Sequence, residues 1–158
     1  MKIVESIKLK SVSKQNREQF LSYLLLADES EDIVKQYIDK GDMFSIQVGN
    51  EIAGVSLFTY PSRDVVELKN IALAPEFRGI GLGKLVIYEA CKIYVNKRIC
   101  KMIVGTANSS IANIAFYQKV GFRLSEIKKN FFMGYPEPIY ENGIRALDMV
   151  MFEKDLTE

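Results

Sequence analysis

The sequence predicts a mixed α/β fold, with a mixed central sheet and helices on both faces. Three observations predict it. Ile3 to Leu9 alternates apolar and polar residues, as a half-buried strand does. Gly49-Asn50 stands between two strand-like runs, a short hairpin signal. The full order reads β, two helices, β hairpin, β, helix, β, helix, β, loop, β. That is neither a strict βαβα series nor an all-β pattern.

The elements follow from local chemistry. After the strand at Ile3–Leu9, Lys14 to Ala27 reads as a helix with Ser13 as its N-cap. Ser30-Glu31-Asp32 opens a second helix, whose acidic first turn suits the helix dipole, and Gly41 is expected to end it. Met43–Val48 and Ile52–Tyr60 form the hairpin, with Met43 and Phe44 read as core. Val65–Leu73 is the next strand. A glycine-rich turn leads into a helix from about Gly81 to Asn96, with Leu85, Tyr88, Cys91, Lys92 and Val95 expected on its inner face. Met102–Ala107 is a short buried strand. Ile111–Val120 is a helix closed by Gly121, and Phe122–Lys129 a strand. Asn130–Gly143 is a loop rich in aromatics and proline, and Ile144–Glu153 is the last strand.

The 158 residues fit one domain, 1–158, long enough to bury a core. Composition narrows the function. Hydrophobic residues make up 48% and charged residues 26%, which excludes a disordered chain. Net charge is +1, from 21 basic and 20 acidic residues, so nothing in the balance favours a nucleic-acid partner. Histidine is absent. An imidazole zinc site, a Ser-His-Asp triad and a Cys-His pair are thereby excluded. Cys91 and Cys100 match no metal spacing and make no disulfide framework, so no metal is expected. Any base must be a carboxylate, a water, a lysine or a terminus. The segment MKIVESIKLK lacks a signal-peptide hydrophobic stretch, and no run approaches the roughly 18 apolar residues that span a bilayer. A cytoplasmic protein with no membrane partner is the expectation.

The chemistry concentrates at Leu73-Ala74-Pro75-Glu76-Phe77-Arg78-Gly79-Ile80-Gly81-Leu82-Gly83-Lys84, which joins a strand to a helix. Glycines let the backbone turn sharply and approach a ligand closely. The first amides of a helix lack partners and favour an anion, such as a phosphate or pyrophosphate. A P-loop requires G-x-x-x-x-G-K-[ST]. Gly79 to Gly83 is one residue too short, and Leu85 follows Lys84. The dinucleotide fingerprint G-x-G-x-x-G fails because its third glycine would be Lys84. R-x-x-G-x-G is met by Arg78, Gly81 and Gly83. A structural turn with helix capping is the alternative.

Two segments carry a family resemblance. VELKNIALAPEFRGIGLGKLVIYEA, Val66 to Ala90, resembles the cofactor-binding core of the GNAT family of N-acetyltransferases. Asn113-Ile114-Ala115-Phe116-Tyr117-Gln118-Lys119-Val120-Gly121-Phe122 resembles that family's A-x-x-[LF]-Y-x-K-x-G-F passage from helix to strand. Motif detail spans about residues 52 to 123. The last segment, NFFMGYPEPIYENGIRALDMVMFEK, is similar to a subgroup of small bacterial acetyltransferases.

The resemblance implies a mostly antiparallel sheet of six or seven strands with about four helices. A V-shaped splay is expected between the strands ending at Leu73 and Ala107. It implies acetyl-CoA as cosubstrate and direct attack by a primary amine of a small molecule or peptide. It assigns the pantetheine arm to the backbone of Ile71, Ala72 and Leu73. It assigns the pyrophosphate to the amides of Gly79, Ile80, Gly81, Leu82, Gly83 and Lys84, with Arg78 at the entrance. Tyr117 corresponds to the cofactor-contacting tyrosine that protonates the departing thiolate. The family's cofactor-contacting asparagine falls at Ser110, with Asn108 or Asn113 as substitutes. Its strand glutamate falls at Gly105, so that base is absent. Glu67 remains as a base acting through water. Tyr140 and Glu141, in the proline-stiffened loop, are the expected acceptor contacts. A homodimer is common in such a family. A non-catalytic acyl-CoA sensor, or a partner subunit of the same fold, is the alternative.

Overall fold

The computed structural model describes residues 6–157. Ile3, Val4 and Glu5 of the first expected strand lie outside them. The elements run β1 (Lys8–Ser11), a 3₁₀ stretch at Lys14–Phe20, α1 (Leu21–Ala27), α2 (Glu31–Tyr37), β2 (Asp42–Val48), β3 (Glu51–Ser62) and β4 (Val65–Leu73). Then come α3 (Leu82–Asn96), β5 (Lys101–Ala107), α4 (Ile111–Lys119), β6 (Arg123–Lys128), β7 (Tyr140–Glu141), β8 (Ile144–Arg145) and β9 (Met149–Asp155). The main sheet has seven strands in the order β1-β2-β3-β4-β5-β9-β6, and β7-β8 form a separate ribbon. Every ladder of the main sheet is antiparallel except β4–β5. The expected mixed, mostly antiparallel sheet is what forms.

Side chains that alternate along β2 and β3 send neighbours to opposite faces. Met43 and Leu57 pack with Leu24 of α1 and Val34 and Tyr37 of α2. Phe44 and Phe58 pack on the other face, with Ile87, Ala90 and Tyr94 of α3 and Tyr117 of α4. Helices therefore cover both faces.

Four local expectations are corrected. The inner face of α3 is Leu82, Val86, Ile87, Ala90 and Tyr94, whereas Tyr88 is 61% exposed and Val95 48%. Both stripes have helical spacing. The buried one places two β-branched residues, a leucine and a tyrosine against the sheet, each burial contributing about 1.5–3 kcal/mol. The stretch from Lys14 is not one helix, because its first seven residues are 3₁₀ and Ser13 makes no side-chain cap. α2 stops at Tyr37, before Gly41. Buried Arg17 explains both departures: Nη1 donates to Ile38 O at 3.0 Å and Lys40 O at 2.7 Å, and Nη2 to Gly41 O at 2.7 Å. Gly41 is needed there, since a Cβ would collide with the carbonyl of Phe58. The last expected strand is broken between β8 and β9, where the Asn108 side chain binds the backbone of residues 145, 147 and 148.

The sheet parts in its middle. The β4–β5 ladder pairs Val65–Leu68 with Lys101–Val104 and then ends, although both strands continue. The cause lies in β4. On β3, Leu57 pairs with Asn70 and Phe58 with Leu68, so Lys69 is an extra residue, a β-bulge. Past the bulge the facing changes: Leu68 packs in the α3 core, while Asn70 donates to Leu24 O of α1 at 3.1 Å.

Candidate active site

The gap between β4 and β5 opens into a cleft of about 400 Å³. Ile71 and Leu73 form one wall and Gly105, Thr106 and Ala107 the other. Gly83, in the first turn of α3, lines the same cleft. The helix begins at Gly81, which is left-handed at φ 84, and no side chain caps it. Its first amides are thus left for a ligand. Gly79 is also left-handed, at φ 75, and no heavy atom outside the adjoining residues lies within 4 Å of a Cβ built on either glycine. Backbone, rather than side chains, faces the space there. That is a donor set suited to phosphate oxygens, with the helix dipole favouring negative charge.

The remaining loop residues divide by role. Arg78 lines the cleft and donates from Nε to Leu73 O at 3.0 Å. Leu82 is buried in a core cluster with Ile46 and Val86, and Ile80 packs against the same cluster. Ala72 packs toward α1 and α2. For buried Leu82 and Ala72 only the backbone is left to meet a ligand. The Lys84 side chain lies on a different groove, between α3 and the end of α4.

Tyr117 sits on the cleft wall, 5% exposed. Its ring is held by Phe116, Phe122 and Phe152, with centroids 5.3 to 5.7 Å away. Its hydroxyl has no hydrogen-bond partner among the described residues. Burial pushes its pKa up to about 12, so it remains a proton donor at neutral pH. A ring packed in the core thus presents an unpaired hydroxyl at the cleft wall.

Of the three candidates near the start of α4, Ser110 and Asn113 line the cleft and Asn108 does not. Asn108 is committed to the backbone before β9. Asn113 Nδ2 donates to Thr106 Oγ1 at 3.3 Å, and Ser110 Oγ to Glu141 Oε1 at 2.6 Å. Glu141 thereby reaches the cleft, whereas Tyr140 is 66% exposed and not on its wall. Gly105 cannot carry a side chain without displacing Met149 and Met151, whose sulfurs lie 2.7 Å from a Cβ there.

Glu67 is not on the main cleft. It lines an adjoining chamber of about 500 Å³ with Tyr37, Lys40 and Thr59. The two spaces share Asp28, Lys69, Tyr135 and Met149 on their walls. Asp28 and Tyr135 were not among the sequence-derived candidates. Tyr135 donates to Asp28 Oδ1 and Tyr37 to Asp28 Oδ2, each at 3.0 Å. Asn70 Nδ2 donates to Tyr37 Oη at 2.9 Å. Burial and then the Asp28 charge push the Tyr135 hydroxyl up. Burial does the same for Tyr37, against the opposing pull of the Asn70 hydrogen bond. Both stay protonated.

Residues 10–122 match the family described as Acetyltransferase (GNAT) family. The uncharacterized N-acetyltransferase YvbK of Bacillus subtilis is 36% identical over 146 residues, which is 92% of this chain and 94% of that protein. Among solved structures, a GNAT family acetyltransferase from Elizabethkingia anophelis with acetyl-CoA bound superimposes with a TM-score of 0.89. It is 35% identical, and the match covers 96% of this chain and 99% of that one. A Bacillus subtilis acetyltransferase in complex with CoA gives 0.84 at 35% identity, over 95% and 97%.

Proposed function

Because this chain belongs to the GNAT acetyltransferase family, and is an acyltransferase, we propose that it transfers an acetyl group from acetyl-CoA to a primary amine in the cleft between β4 and β5. The observation that carries this is the placing of Tyr117. A nearly buried phenol with a free hydroxyl lies on a cleft that runs from an uncapped helix N-terminus to a carboxylate-lined end. Two relatives of about one-third identity hold acetyl-CoA or CoA, which supports the same cosubstrate here.

The chain's own groups divide the work. The bulge at Lys69 frees the backbone of Ile71 to Leu73 from β5, and that backbone takes the extended pantetheine arm. The amides of Gly79 to Lys84 hold the pyrophosphate, with Arg78 beside them. The amine nitrogen bonds to the acetyl carbon as the carbon–sulfur bond breaks. Tyr117 gives its proton to the departing sulfur. The phenol, raised to about 12 by burial, is a weaker acid than a thiol near 8.5, so the transfer is uphill, and the phenolate regains a proton from solvent as the amine loses its own. The amine loses its proton to water held by Glu67 in the adjoining chamber.

The test is a panel of primary amines with acetyl-CoA, followed by a thiol-detecting reagent and mass spectrometry of the product. Stoichiometric thiol release with acetylated amine is expected. CoA binding without turnover on any amine would leave a sensor of the same fold.

A further inference from the structure

We propose that Asp28 anchors a positive charge on the acceptor, so that the substrate is an amine carrying a second cationic centre beyond the nitrogen acetylated. This rests on the reading of the cleft as an amine acetylation site.

The first observation is how Asp28 is held. Its carboxylate accepts from Tyr37, from Tyr135 and from the backbone N–H of Ser30, the last at 3.3 Å. All three donors are neutral. No lysine or arginine among the described residues pairs with it. Neutral donors fix a carboxylate's orientation and satisfy lone pairs, but they leave its charge uncompensated. A fixed, half-buried negative charge on a cleft wall calls for a cation, and none of the described residues supplies it.

The second observation is aromatic. Phe132 and Tyr135 pack with centroids 5.2 Å apart and ring planes tilted by 45°, and both line the main cleft with Asp28. Ring faces attract organic cations and do not discriminate their shape strongly. A third is independent of both. Asn70 lines the cleft, is 5% exposed, and its Oδ1 has no hydrogen-bond partner. Its Nδ2 is spent on Leu24 O and Tyr37 Oη. This is a buried acceptor short of a donor, next to the tyrosine that holds Asp28. An ammonium group supplies both the charge and the N–H.

The other charged groups agree. Glu29 and Glu141 also line the main cleft and add negative charge, and Lys69 lines it as a cation. Its ammonium lies 5.4 Å from the Tyr37 ring centroid rather than on Asp28. Arg78 stands at the far, glycine-loop end. The adjoining chamber adds Glu67 and Lys40, which cancel. Apart from Arg78, the charged residues lining the two spaces are therefore net negative.

The experiment measures binding of a homologous series of α,ω-diamines and matched n-alkylamines to the CoA-saturated protein by calorimetry. The best diamine is expected to bind about 10-fold tighter than its monoamine. In Asp28→Asn that ratio should fall to about one, with CoA affinity unchanged. Equal affinities in the wild type, no diamine binding at all, or a preference that survives in Asp28→Asn would overturn the assignment. The wild-type ratio needs no variant, so a misfolded Asp28→Asn does not blunt the test. Thiol release is followed on the same diamines with acetyl-CoA. Diamine preference without thiol release supports the anchor and overturns amine acetylation instead.

Discussion

The ring of Phe116 lies against Gly83, so near that a Cβ on the glycine would stand 3.1 Å from the ring's Cζ. The first turn of α3 is thus in contact with α4, one residue before Tyr117. Gly81 differs: a Cβ there meets open space, but its φ of +84 is strained for any other residue. Two glycines of one motif should fail differently. Gly81→Val is expected to lower CoA affinity at least about 10-fold with a stability loss of about 1–2 kcal/mol. Gly83→Val should also displace Phe116, costing about 1–3 kcal/mol and lowering turnover even at saturating cofactor. Calorimetry, thermal melting and kcat read the three effects. Identical behaviour of the two variants would mean that Phe116 yields freely.

Tyr117→Phe keeps the ring contacts to Phe116, Phe122 and Phe152 and removes only the proton donor. Cofactor affinity and melting temperature should stay near wild type. Turnover should fall on the order of 10² to 10⁴, the scale of losing a positioned acid. A drop in kcat at steady affinity places the loss in the transition state. Wild-type kcat, with chemistry limiting, would mean that the thiolate leaves unassisted.

Alkaline stability follows from the same residue. Tyr117 has a folded pKa of about 12, against 10.0 for an unperturbed tyrosine. Below pH 10 both states keep the proton and nothing changes. Between pH 10 and 12 the unfolded chain releases it and the folded chain does not, so stability falls as pH rises. The slope is about 1.4 kcal/mol per pH unit from this group. Urea unfolding across that window should show a shallower decline for Tyr117→Phe than for wild type.

Arg17, 4% exposed, closes the end of α2 through three carbonyls. Arg17→Met keeps apolar bulk but leaves those carbonyls without donors. A loss of about 3 kcal/mol is expected, or a fall of roughly 10 °C in melting temperature. CoA affinity should be unchanged, because none of these groups lines the cleft.

Much of the fold was legible because its signals are local. The glycines of residues 79–83 and the strand before them report a backbone conformation, and backbone conformation is set by neighbours in sequence. The face of α3 was not legible, since two stripes had helical spacing and only the sheet's position chooses between them. Asp28 and Tyr135 meet across 107 positions, and no local pattern records that. One trace existed. Asn70 is a polar residue between Leu68 and Ala72 in a buried strand, an inward polar position that marks a structural or binding need. Tyr140 stood out for its loop composition, yet the loop turns Tyr135 inward and leaves Tyr140 in solvent.

A sheet interrupted at Leu68 and Val104 carries interior edges as well as outer ones. Outer edges are commonly guarded by charge, twist or shortness, because unpaired strands invite pairing with other chains. An edge inside a wedge is guarded by access alone. Whatever enters must be thin, extended and able to exchange hydrogen bonds on both sides, like a strand. On the function proposed above, the cosubstrate takes the place of a missing piece of the sheet. Melting temperature should climb with CoA concentration by mass action, and unliganded protein should be the state most prone to self-association.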